Sequence, residues 1–146
     1  MLKMLKDRRA YSSTFWAMFI GAIFIPMMAL TFDIGRYLYA KGEVGKAADA
    51  AAVAAAVEID WRVFRESGDI QPTANTYAMA QLYANRNNDY LARQNIWPRV
   101  RSIQVNSANN TVYVSVEADL SVLFPSYVPR IIVEEGGEAQ VRSFRR

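Results

Sequence analysis

The chain has no cysteine and no histidine among its 146 residues. Without cysteine there are no disulfides, thiolate nucleophiles or thiolate metal sites, and without histidine the commonest metal ligand and general base is missing. Carboxylate chemistry and oxygen-ligand sites for Ca²⁺ or Mg²⁺ are what these absences leave open. No glycine-rich phosphate loop, metal cluster or paired-carboxylate site stands out, and Asp60, Asp69 and Asp89 read as surface or capping residues. No enzyme activity, cofactor or metal is therefore expected. Net charge is scarce as well, once its position is considered. Lys3, Lys6, Arg8 and Arg9 against Asp7 supply the whole formal charge of +3, and basic and acidic residues balance from position 13 onward. Nucleic-acid binding needs basic residues gathered on a folded surface. Here the excess belongs to a tail, residues 1–12, and no nucleic-acid partner is expected.

Charge is wholly absent from Ser13 to Phe32, a run of twenty mostly large apolar residues. At about 1.5 Å per residue such a helix covers roughly 30 Å, the thickness of a bilayer's hydrocarbon core. Phe15, Trp16, Phe19, Ile20, Ile23, Phe24 and Leu30 supply its apolar surface. Gly21 and Pro26 would weaken a soluble helix, but both are tolerated in lipid, where Pro26 is expected to bend the axis. Trp16, Tyr37 and Tyr39 stand where interfacial anchors belong. A cleaved secretory signal is the competing reading; its apolar core runs about 7 to 15 residues and ends at a small-x-small site. This run is longer and closes on Leu30-Thr31-Phe32-Asp33, which favours an uncleaved anchor. Lys3, Lys6, Arg8 and Arg9 outnumber the basic residues just past the span, so the positive-inside rule keeps the N-terminus in the cytoplasm. Residues 33–146 then lie outside.

Beyond Phe32 the first clear breakers are Ser67-Gly68-Asp69, and eight of the eleven residues from Ala47 to Val57 are alanine. Alanine is the best helix former, so one helix is predicted from about Ser13 to Glu66, flexing near Gly35 or near Gly42 to Gly45. It would extend about 80 Å. Val44, Ala48, Ala51, Ala52, Ala55 and Ile59 recur at helical spacing as one stripe. Small side chains let another helix or a sheet come close, and the stripe serves either as the core contact of a small domain or as a packing face toward other subunits. Asp33, with Arg36 one turn later, marks the edge of the span as an ordinary boundary or as a pairing site for a neighbouring subunit.

The basic start ending in Arg8-Arg9, the apolar span, and then FDIGRYLYAKGEVGKAADAAAVAAA from Phe32 to Ala56 resemble the N-terminal segment of TadG-like and TadE-like proteins of the tight-adherence (Flp) pilus system. The Asp-x-Gly-Arg of that pattern falls on Asp33, Gly35 and Arg36, and its Ala-Ala-Asp-Ala-Ala block on Ala47, Ala48, Asp49, Ala50 and Ala51. Tyr77 to Asn88 is similar to the Ala-rich second helix of such proteins. The resemblance implies a membrane-anchored, pilin-like component of an envelope pilus or secretion apparatus, with other pilin-like subunits and assembly proteins as partners besides the lipid bilayer. Cleavage after Ala10 would put Phe15 where prepilin-type members carry glutamate, so the uncleaved TadG-like case fits better, although such proteins often carry a large C-terminal adhesive domain.

The remaining sequence predicts a head. Pro72-Thr73 starts a second helix running to about Arg93, with Ala74, Ala78 and Leu82 as its packed face and Tyr77, Met79 and Tyr83 beside it. Asn85 to Asn88 weakens its end, and Trp97-Pro98 turns the chain extended. From Arg99 the period is two: Ile103 and Val105, then Val112, Val114, Val116 and Ala118, with a hairpin turn at Ser107 to Asn110. Two further runs, 130–133 and 139–144, flank Gly136-Gly137, which make a turn or a bulge. Leu123 to Pro129 is an apolar loop and a candidate partner contact. The expected fold class is α+β: tail 1–12, transmembrane helix 13–32, helical stalk 33–66, and a head 67–146 with a small antiparallel sheet of three or four strands. The leading functional expectation is a structural subunit assembling through helix packing; the alternatives are a tethered ligand-binding or adhesive module and, far behind, a carboxylate-only hydrolase.

Overall fold

A computed structural model describes residues 8–86, 88–123 and 130–142, with the side chains of 8–11 left out. The element order is α1 (Arg8–Val57), α2 (Trp61–Ser67), α3 (Thr76–Arg86), α4 (Asp89–Ala92), β1 (Arg99–Asn106), β2 (Thr111–Leu120) and β3 (Ile131–Gln140). This is an α+β chain with a long apolar N-terminal helix and a three-stranded antiparallel sheet in the order β1-β2-β3. It divides into two compact units, Met1–Arg36 and Tyr37–Arg146.

In the first unit α1 carries its apolar residues outward on every face. Phe15, Phe19, Ile23, Phe24 and Leu30 are all exposed, and Pro26 lies inside the helix. A helix that is apolar all round, with Ala29 its one buried apolar residue among the described residues of this unit, matches lipid rather than water. Its length and composition suffice to cross a membrane.

In the second unit the last turns of α1 form the core. Val44, Ala48, Ala51, Ala52 and Ala55 are completely buried, and Ile59 nearly so, with Val112, Val114, Val116, Ala118 and Val133 of the sheet. Alternation along β2 sends its valines to one face, the face α1 covers. Gly137 shows how close the helix comes: a methyl group there would overlap the backbone of Ala48 and Asp49. Small residues on both partners let the backbones approach this far.

Four expectations change. The long helix ends at Val57 instead of Glu66: Asp60 accepts from the amides of Arg62 and Val63 and starts α2, while Ile59 bridges Pro72. A side-chain cap and a strand-like bridge outweigh the helical propensity of the sequence here. The second helix begins at Thr76 and is divided into α3 and α4, with Asn88 as the buried residue before α4. Its packed face is Thr76, Ala80 and Ala84, whereas Ala74, Ala78 and Leu82 are exposed. Small residues at i, i+4 and i+8 fit beneath the helix where Leu82 would hold it off. Gly136-Gly137 make neither a turn nor a bulge: β3 runs through them in unbroken register against β2, Ser115 opposite Gly136 and Val114 opposite Gly137. The bulge lies in β1 instead, between Val100 and Ser102, and it puts Val100 and Ile103 on the same face. The turn Ser107 to Asn110 is where the pattern placed it, and Asn110 takes a left-handed φ of 54°, which asparagine tolerates. Residues 124–129 of the apolar loop lie outside the described residues, as do Lys3, Lys6 and the last four positions.

Candidate functional site

Chemistry offers little from which to build a site. Among the described residues no group of three or more acidic side chains is placed to hold a metal ion. The candidate functional features are surfaces, one in each unit.

The first is the apolar span with its polar margin. Phe15 stacks on Phe19 at 6.3 Å and Trp16 meets Phe19 edge to face at 5.8 Å, giving the start of the span an aromatic cluster. Ile20 is exposed with them. Thr31 returns its hydroxyl to the carbonyl of Met27 at 2.9 Å, so its polarity is satisfied within the helix. Just after the run, Asp33 and Arg36 form an ion pair at 3.6 Å. The carboxylate singled out as a possible inter-subunit partner thus has a basic partner on its own helix, and Gly35 between them is exposed with open space where a side chain would stand.

The second is the surface of the folded unit. The stripe Val44, Ala48, Ala51, Ala52 and Ala55 is enclosed in the core and presents nothing to another molecule. Residues 37–57, expected as part of a stalk, are the central helix of the head. What α1 presents outward in this unit is Leu38, Tyr39, Lys41, Gly42, Lys46, Asp49, Val53 and Val57. Gly42 and Gly45 meet no atom where a side chain would be, so nothing among the described residues requires glycine there. Val53, Val57 and Trp61 border a groove of about 430 Å³ whose other wall is Ala139 to Arg142.

Two polar devices hold these surfaces. Lys41 pairs with Glu135 at 3.3 Å, linking α1 to β3. Lys46 pairs with Glu43 at 2.6 Å, and this hydrogen bond, together with the Glu43 charge, raises the lysine's pKa above its ordinary 10.5. Partial desolvation and then Glu43 raise the Tyr39 phenol above its ordinary 10.0. Both shifts favour the protonated group in the folded chain, so their support is complete below pH 10 and fades as pH climbs through the raised values. Tyr39 also meets Tyr90 of α4, ring centroids 4.4 Å apart. At the edge of the sheet, Gln81 donates to the carbonyl of Pro98 and accepts from the amide of Val100, while Tyr77 donates to the Val100 carbonyl. These side chains close the start of the β1 edge against strand addition.

Sequence reasoning placed the long apolar helix, the packed stripe and the i, i+3 pair of Asp33 and Arg36. It missed the Tyr39–Tyr90 pair and the capping by Gln81. Both join residues distant in sequence, and no local spacing signals them.

An apolar, outward-facing helix whose continuation becomes the core of a small α+β unit defines the class: a head carried on a candidate membrane anchor. Residues 11–58 match the Tad family, "Putative Flp pilus-assembly TadE/G-like", over the segment that joins the span to the alanine helix. The chain is thus TadE/G-like through this segment, which supports a role in pilus assembly. Neither the curated proteins nor the solved structures contain a match.

Proposed function

We propose that this protein is a membrane-anchored, pilin-like subunit of a tight-adherence type pilus or secretion apparatus, with a structural and not a catalytic role. The observation that carries the reading is the continuity of α1. A lipid-type apolar segment, the Asp33-x-Gly35-Arg36 margin and the alanine helix follow one another without a break, and the family match covers that same stretch. The N-terminus stays in the cytoplasm and the head lies outside, on the strength of the basic residues before the span. Partners are other copies or other pilin-like subunits and pilus-assembly proteins. Because the alanine stripe is occupied internally, they meet the outward face of α1, where Gly42, Gly45 and Val53 offer a low surface for a close helix.

The groove beside Val53 and Val57 favours a second reading, in which the head binds a ligand and the anchor tethers it. One experiment separates the two. The chain lacks cysteine, so single cysteines at Gly42, on the outward face of α1, and at Gln140, in the wall of the groove, can be crosslinked in the intact envelope. Assembly predicts homotypic or pilus-component products from position 42. Products from position 140 alone would favour the binding module, and release of a soluble chain starting near position 33 would end the anchor reading.

A further inference from the structure

The face of the sheet turned away from α1 divides into two parts of different character. Toward one end its polar groups satisfy one another. Arg99 pairs with Glu117 and Asp119, Arg130 with Asp119, and Arg101 with Glu134, which also accepts from the Ser115 hydroxyl. Toward the hairpin turn Ser107 to Asn110 the register sets Gln104, Tyr113 and Glu138 in one row across β1, β2 and β3, with Asn106 and Thr111 in the next. Here, among the described residues, the side chains of Gln104, Thr111, Tyr113 and Glu138 make no hydrogen bond or ion pair. Together with Asn106 and Ser107 they line a shallow depression of about 430 Å³, within the roughly 300–1,000 Å³ of small-ligand sites.

The chemistry of this lining restricts what it can recognise. The phenol end of the Tyr113 ring occupies the place where a β-carbon on Gly136 would stand, so the ring leans across β3 instead of standing up from the sheet. Glycine at 136 makes room for it. In that posture Tyr113 is 42% exposed, and the negative π-face of its ring is a platform for weakly positive C–H groups. Around it stand the Gln104 amide and the Thr111 hydroxyl, which both donate and accept, and the Glu138 carboxylate, which accepts. Asn106 uses its carbonyl oxygen on the amides of Ala108 and Asn109, which holds the turn and keeps its NH₂ as a donor. An ammonium ligand would engage only the acceptors of this set, and an anion would meet a carboxylate with no basic side chain in the lining. Hydroxyl groups donate and accept alike. A molecule with a flat C–H face and a rim of hydroxyls is a saccharide, and a pyranose with its hydroxyls equatorial presents such a face through its axial C–H bonds.

We propose that the hairpin end of the outer sheet face is a binding site for an uncharged saccharide with equatorial hydroxyls: one pyranose ring stacks on Tyr113, and Gln104, Asn106, Thr111 and Glu138 hydrogen-bond its hydroxyls. The lining contributes one carboxylate, whereas glycoside hydrolysis takes a pair, so the site binds and does not cleave. Every residue of it belongs to the unit Tyr37–Arg146, and the proposal holds whether or not the span is an anchor.

The test uses the whole chain in a detergent without a sugar headgroup, titrated with cellotriose and with N,N′,N″-triacetylchitotriose and followed by saturation-transfer NMR. Saturable binding of at least one of them is expected, weak as suits a shallow open site, with the strongest saturation on axial C–H protons. Tyr113→Ala should weaken it about tenfold, and Tyr113→Phe, which keeps the ring, should hold it within about threefold. Gly136→Ala, which keeps Tyr113 but pushes its ring aside, should weaken it several-fold. Circular dichroism shows whether each variant is folded; should Tyr113→Ala not fold, Gly136→Ala and Glu138→Gln decide. No saturable binding of either probe to the unaltered chain would overturn the proposal, as would equal affinity in the folded Tyr113→Ala variant. Binding that is lost in Val53→Asp and kept in Tyr113→Ala would overturn it in favour of the groove beside α1.

Discussion

Gly137 shows how much a single position can carry. In β3 it stands opposite Val114, on the face α1 covers, where any β-carbon would overlap the Ala48 carbonyl. Its neighbour Gly136 faces the other way, under the ring of Tyr113. A backbone cannot yield as the end of a side chain can. Gly137→Ala is therefore expected to destabilise the head by about 1–3 kcal/mol or more, the usual cost of overpacking, while Gly136→Ala costs less because Tyr113 can rotate away. Thermal unfolding followed by circular dichroism in detergent would show a clearly lower transition for the first variant than for the second. The pair of glycines was visible in the sequence, but whether they bent the chain or thinned it was not. That depended on a helix packed eighty-nine residues away in the chain, at Ala48.

At the scale of elements, the alanine-rich part of α1 has two faces with different uses. One face is buried against the sheet to the last atom, and the other carries Gly42, Asp49, Val53 and Val57 in the open. Ala48→Leu should overfill the contact with β3 and lower head stability by about 1–3 kcal/mol. Val53→Ala, on the exposed face, should leave stability within about 0.5 kcal/mol of the parent. Chemical denaturation of the two variants checks this. A similar loss from both would mean that the outward face is packed in the folded chain. Helical periodicity marked the stripe correctly. It failed for α3, where the larger apolar residues proved to be the exposed ones, because the core selects for fit as well as hydrophobicity. Thr76, Ala80 and Ala84 bring the helix close enough for Gln81 and Tyr77 to reach the β1 edge.

At the scale of the whole molecule, the proposed orientation rests on how charge is distributed. The basic excess precedes the apolar run, and the remainder of the chain is neutral overall. Replacing Lys3, Lys6, Arg8 and Arg9 together with glutamine should weaken the retention of the N-terminus in the cytoplasm and yield a mixed population. A single cysteine at Asn109, probed with a membrane-impermeant thiol reagent, reports it: labelling from outside should be complete in the parent chain and fall in the variant. Unchanged labelling would assign the orientation to another determinant.

The apolar run, the alanine helix and the alternating strands were legible in the order of residues, because each follows from interactions between near neighbours or from exchange with solvent. The family match on residues 11–58 falls within that same local region. Where α1 stops, which face of α3 is packed, how β3 passes through its glycines and why Tyr39 meets Tyr90 could be read only after the chain had folded. Each of these depends on what lies opposite in space, and close packing between distant segments leaves no periodic trace along the chain.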